Sequence, residues 1–220
     1  MMRHLLLLAL VLEARPAAAS CMQAELNPLL LTRRDTRVPA DGGVLVGYTY
    51  VTSDFERTGP DPSDVKWKAT AKVARTQLAP GLSVYKTDAA AFTFGKTKFT
   101  RDGKTAGITA APQPKAVRVK SEHQMRWSST TATLTLAAAA PPEAVALIVY
   151  DADSRKPLTY AGLADTHDKD LALEIYEADG HCGVNKPPES GSVEPGSKLV
   201  FAYVDAFGRL SPQSKPITAQ

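Results

Sequence analysis

Hydrophobic and polar residues alternate with a period of two along much of this chain. Val65, Trp67, Ala69, Ala71 and Val73 share one face of an extended segment, and Lys66, Lys68, Thr70 and Lys72 share the other. A helix mixes these two sets, whereas a half-buried strand separates them, so the spacing predicts a strand over 65–73. Thr131 to Leu136 alternates threonine with alanine or leucine. Leu171, Leu173 and Ile175 oppose Ala172, Glu174 and Tyr176, while Val44, Val46, Tyr48 and Tyr50 form a further set. Leu147 to Tyr150 is a continuous apolar run. Turn clusters separate these segments: Pro39 to Gly43, Thr58 to Pro62, Arg101-Asp102-Gly103, Asp179-Gly180, Pro187-Pro188 and Pro195-Gly196. The helix-friendly stretch Ala137 to Ala140 continues a strand pattern and stops at Pro141-Pro142, so a strand end or loop is expected there. Many short strands punctuated by Gly, Pro and Asp predict an all-β sandwich.

The N-terminus follows a different pattern. Arg3 and His4 precede the apolar run Leu5 to Leu12; Pro16 and the small residues Ala17, Ala18, Ala19 and Ser20 come next. That order is what a signal peptidase reads, and the run is far shorter than the roughly 20 residues a spanning helix needs. Residues 1–19 are therefore expected to be a cleavable signal peptide. Export changes how the two cysteines, Cys21 and Cys182, are read. In an oxidising compartment they are most simply one disulfide, whose long loop is worth at most about 4–5 kcal/mol by chain entropy. The alternative is a lipid anchor on Cys21, although Ala18 stands where a lipoprotein box normally has leucine. Of the two, the disulfide is expected.

Composition narrows the rest. The chain carries 26 Lys and Arg against 23 Asp and Glu. Without residues 1–19 the formal charge is close to neutral, which argues against a dedicated nucleic-acid binder. No later segment approaches membrane-spanning length, because Lys, Asp or Pro interrupts every apolar run. About 200 mature residues suffice for one large or two small cores. A division near Pro112 to Glu122 gives two halves of immunoglobulin-module size, drawn here as residues 20–115 and 116–220.

Residues Pro195 to Ser211 resemble the last hairpin of a fibronectin type III or related immunoglobulin-like module, a family in which a Pro-Gly turn leads into an alternating strand and then a polar turn with Gly and Ser. Lys215 to Thr218 takes the place of the closing strand in that resemblance. Leu78 to Tyr85 resembles the same corner in the first half, with Tyr85 one residue late for the family's corner tyrosine and Leu199 at the equivalent second position. The resemblance implies two such sandwiches in tandem, of the kind bacterial exported proteins carry as spacers, adhesive units and accessory domains. A fold of this kind does not name a function.

Candidate chemistry is sparse. His167, with Asp165, Asp168 and Asp170, is the most metal-like cluster, but alternating carboxylates around a lysine between strands read as a solvated loop. Asp151-Ala152-Asp153-Ser154 lacks the glycine turn and distal carboxylate of a calcium loop and is expected to be the turn after the strand 147–150. His123 precedes a strand beside Glu122; His181 abuts Cys182, yet adjacent side chains on an extended segment point apart, which defeats a thiol–imidazole pair. Nucleophile-elbow, phosphate-loop and dinucleotide patterns are absent. Lys96, Lys98, Arg101, Lys104, Lys115, Arg118 and Lys120 form a basic stretch opposed only by Asp102, read as outward lysines that keep strands soluble rather than as an anion-binding patch. The expectation is an exported, disulfide-bonded module that is secreted, periplasmic or on the cell surface. It would contact a protein or polysaccharide through loops and strand edges, with no cofactor and no catalytic residue. The competing reading is a small exported metal-dependent hydrolase using the His167 cluster.

Overall fold

Turn chemistry sets where the strands begin and end. Ala79-Pro80-Gly81-Leu82 turns with Gly81 at φ 73°, and Glu194-Pro195-Gly196-Ser197 turns with Gly196 at φ 89° and a Ser197 N–H donated to the Glu194 carbonyl at 3.0 Å. Proline pre-sets φ at the first central position and glycine supplies the positive φ at the second, as a type II turn demands. In this computed structural model, residues 25–34, 36–51, 68–124, 127–163, 169–175 and 191–220 are described.

Among them, strands β1 (Glu25–Leu30), β2 (Arg37–Pro39), β3 (Val44–Val51), β4 (Ala74–Ala79), β5 (Leu82–Lys86), β6 (Ala91–Phe94) and β7 (Thr97–Gly103) come first. They are followed by β8 (Pro114–Gln124), β9 (Trp127–Leu136), β10 (Ala144–Asp151), β11 (Pro157–Gly162), β12 (Asp170–Ile175), β13 (Lys198–Asp205) and β14 (Ile217–Thr218). A single 3-10 turn, Leu31–Arg34, is the only helical element among the described residues. The protein is all-β. Sheet I runs β1-β3-β5-β4, sheet II β2-β7-β6, sheet III β11-β10-β13-β14 and sheet IV β12-β9-β8. All ladders between these strands are antiparallel except β2–β7. Sheets I and II draw only on strands up to Gly103, and sheets III and IV only on strands from Pro114 onward.

The alternation of side chains along each strand assigns them to three cores. Val44, Val46, Tyr48 and Tyr85 of sheet I pack with Val38, Phe92, Phe94 and Phe99 of sheet II. Phe92 and Phe99, cross-strand partners, stack with ring centroids 5.5 Å apart. From the opposite face of sheet I, Leu45, Leu82 and Val84 pack with Ala146, Ile148, Val200, Ala202 and Val204 of sheet III. Leu147, Val149, Leu199, Phe201 and Tyr203, on the other face of sheet III, join Val117, Ala132, Leu134, Leu171 and Leu173 of sheet IV. The four sheets therefore lie in the order II, I, III, IV as β-sandwich layers, and the central strands of sheets I and III are buried on both faces.

Several sequence expectations meet the structure directly. The turn at Pro39–Gly43, the loop at 137–143 and the strands over Val44, Thr131–Leu136, Leu147–Tyr150 and Leu171 are present. Three others change. In the described part of 65–73, Ala69, Ala71 and Val73 do face the sheet I–II core while Lys68, Thr70 and Lys72 are exposed, but only the bridge Ala69–Phe94 forms, and the strand starts at Ala74. Alternation there reports a segment laid along the edge of β6 rather than one built into a ladder. Arg101-Asp102-Gly103 is the end of β7 and not a turn. A Cβ at position 103 would collide with the Arg37 carbonyl, so glycine admits the close parallel approach of β2. His123 precedes strand β9, as expected, but is itself the penultimate residue of β8, opposite Ser128.

Candidate functional site at the junction of the sheet pairs

Six of the residues singled out for chemistry, Cys21, Cys182, His181, Asp165, His167 and Asp168, lie outside the described residues, as do residues 1–19. Asp170 opens β12 and accepts the Thr135 hydroxyl at 2.6 Å. Asp151 is spent on its own turn: its carboxylate accepts both the backbone N–H and the hydroxyl of Ser154 at 2.6 Å, and those bonds hold its pKa below the ordinary aspartate value. No group of three or more His, Cys, Asp or Glu side chains suited to a metal occurs among the described residues. The basic stretch divides. Lys98 lies on the outer face of sheet II, whereas exposed Arg118 and Lys120 lie on the outer face of sheet IV. Three sheet spacings, about 30 Å, separate them. Arg101 turns inward to donate to the Ala40 carbonyl.

The densest convergence of polar chemistry lies instead between the two sheet pairs. Asp205, only 3% exposed, ends β13. One carboxylate oxygen accepts the backbone N–H groups of Phe207 and Arg209, each at 2.9 Å, and the other accepts Arg209 Nε at 2.7 Å. A buried carboxylate needs such compensation, and three donors, one of them charged, supply it. Arg209 then spends its remaining donors across the junction, on Asp41 Oδ1 at 3.3 Å, the carbonyls of Thr105 and Ala106 at 2.8 and 3.0 Å, and Thr105 Oγ1 at 3.3 Å. Its guanidinium also lies 5.6 Å from the Phe207 ring centroid.

The turn that Asp205 shapes enters the other sheet pair. Phe207 is 5% exposed and belongs to the core between sheets I and II. Its carbonyl accepts the Gly43 N–H at 2.8 Å, and the Ala206 carbonyl accepts the Thr32 hydroxyl, whose oxygen in turn accepts the Leu45 N–H at 2.7 Å. Gly42 and Gly208 admit the approach: a Cβ on Gly42 would lie 2.8 Å from Phe207 Cβ, and one on Gly208 2.6 Å from Val84 Cγ2.

A second crossing uses Tyr160 of β11. Its hydroxyl donates to the Tyr48 carbonyl at 3.3 Å and accepts the Tyr48 N–H at 3.2 Å, in space left by the missing side chain of Gly47. Burial pushes the Tyr160 pKa up to about 12. Tyr48 and Tyr85 hydroxyls meet at 2.8 Å in the adjoining core.

Sequence reading missed this junction. Asp205 to Arg209 reads as a polar turn closing a hairpin. The available signal was the phenylalanine inside it, together with an aspartate placed to cap the N–H groups two and four residues on. Chemically the arrangement is a fastener: its donors and acceptors are consumed by one another. No family model, curated protein or solved structure matches the chain.

Proposed function

We propose that the chain is an exported, non-catalytic binding or structural module of the cell envelope or secreted space, made of two immunoglobulin-like or fibronectin III-like sandwiches in tandem. The observation that carries this reading is the burial of the central strands of sheets I and III on both faces. Two sandwiches pressed together in that way form a stiff body whose free surfaces are the outer faces of sheets II and IV and the loops at their ends. Such a body suits contact with a protein or polysaccharide partner through those faces and loops. The strand order supports the module type. Counting the seven described strands of the second pair from β8, sheet IV runs 5-2-1 and sheet III 4-3-6-7, the immunoglobulin arrangement with its fourth strand moved to the other sheet. The Pro195-Gly196 turn ahead of β13, as in the family's last hairpin, points the same way.

The test is to express the full chain in a bacterial host, recover it by compartment, and determine its N-terminus, intact mass and bound metal. The expected product starts at Ser20 or Cys21, lies outside the cytoplasm, has both thiols oxidised to one disulfide and carries no stoichiometric metal. An uncleaved cytoplasmic product overturns export. A diacylglycerol adduct on Cys21 replaces the disulfide with a lipid anchor. Stoichiometric zinc or calcium overturns the non-catalytic reading in favour of the His167 cluster.

A further inference from the structure

The turn Ala206–Arg209 is built by one sheet pair and consumed by the other. Its shape is set from within its own pair, where the Asp205 carboxylate holds the N–H groups of residues 207 and 209 and the Arg209 side chain. Its hydrophobic residue completes a core to which none of the neighbouring strand β13 contributes: Phe207 packs among Val38, Val44, Val46, Tyr85, Phe94 and Phe99. Arg209 also grips the segment that joins the pairs, through the carbonyls of Thr105 and Ala106. A preformed turn, an aromatic knob, a backbone hook at Gly43 and a strapped connection all act at one point.

We infer that this turn is a coupling plug, a device that makes the two sheet pairs open and close as one unit. Opening sheets I and II exposes Phe207 and loosens the bonds that its carbonyl accepts from Gly43 and the Ala206 carbonyl accepts from Thr32. Opening sheets III and IV destroys the carboxylate template that presents the plug. Each event removes support from the other, which is the physical content of coupling between packed elements. The inference stands whether or not the chain is exported and whatever its outer faces contact.

The test follows both pairs at once in the full chain, by hydrogen-exchange mass spectrometry across a urea series. Peptides from β3 and β5 report sheet I, and peptides from β9 and β13 report sheets IV and III. In the unmodified chain both sets are expected to lose protection at the same urea concentration. In Phe207→Ala the sheet I peptides are expected to lose protection at lower urea than the others, so the two curves separate; Phe207→Leu, which keeps most of the volume, separates them less. Leu210→Ala, at a residue 46% exposed just beyond the turn, leaves them superposed. Curves already separate in the unmodified chain overturn the inference. So do curves that stay superposed in both Phe207 variants, because the core between sheets I and III then carries the coupling without the plug.

Discussion

Gly196 and Gly208 share a left-handed backbone, with φ of 89° and 74°, but differ in surroundings. Nothing lies within 4 Å of a Cβ built on Gly196, whereas one built on Gly208 meets Val84. Alanine at 196 therefore bears only the conformational cost, about 1–2 kcal/mol. At 208 it adds an overpacking cost of about 1–3 kcal/mol, because Val84 is held in the core between sheets I and III. Urea denaturation of the two single variants checks the difference, and equal losses would show that the junction relaxes around the intruding methyl. Gly47 offers a second comparison, since a Cβ there would lie 2.9 Å from the Tyr160 hydroxyl. Tyr160→Phe alone should cost about 1 kcal/mol for the lost hydrogen bonds, as Tyr48 N–H keeps its bond to the Gly81 carbonyl at 2.8 Å. Gly47→Ala should then cost less in the Tyr160→Phe background than alone, and a double-mutant cycle with no coupling would deny that the hydroxyl occupies that space.

At the level of elements, the closing segment after β13 explains why a strand legible in the sequence is only partly a strand. The sequence places the closing strand at 215–218; Ile217–Thr218 do close the sheet, pairing with Leu199 and Lys198. Upstream, Pro212 and Pro216 cannot donate to a ladder, and serines substitute for it. Ser211 and Ser214 accept the N–H groups of Tyr203 and Phe201 at 2.9 and 3.0 Å through their hydroxyls, which donate onward to the Pro212 and Lys215 carbonyls. The Ser211 and Ser214 backbone N–H groups donate in return to the Tyr203 and Phe201 carbonyls at 2.9 and 2.8 Å, and alternation cannot reveal such a segment because half of its bonding runs through side chains. Ser214→Ala removes the hydroxyl that the buried Phe201 N–H bonds and should destabilise by about 1–3 kcal/mol. The Phe201 amide should also exchange faster relative to its neighbours on β13; unchanged protection there would mean that the hydroxyl is dispensable. Similar physics limits what 65–73 discloses, where the facing pattern holds in the described residues but backbone pairing stops at the Ala69–Phe94 bridge, with Thr70 N–H on the Thr93 carbonyl and Gly95 N–H on the Lys68 carbonyl. Turn residues are more legible: Pro80-Gly81 and Pro195-Gly196 demand one backbone shape wherever they occur.

For the whole molecule, the period-two pattern tells which residues are inside but not which sheet meets which. The hint lies in the continuous runs Leu147–Tyr150 and Leu199–Val204, since strands that are apolar at every position are buried on both faces. The split of the basic stretch over opposite outer layers is invisible for the same reason, because sequence neighbours across the 104–113 connection belong to different pairs. Two-sided burial has a consequence for alkaline stability. Tyr150 and Tyr203 on sheet III have pKa values raised by burial, and Tyr160 is raised to about 12, above the value near 10 of an exposed tyrosine. As pH rises past 10 the unfolded chain releases these protons before the folded one does, so the folded state binds more protons and stability falls with pH. The stability that neutral Tyr160 contributes is complete below pH 10 and lost by about pH 12. Urea midpoints should be level up to about pH 9.5 and decline steeply above it, with a shallower decline in Tyr160→Phe. A decline of equal slope in that variant would place the alkaline sensitivity in the other tyrosines and detach it from the Tyr160 crossing.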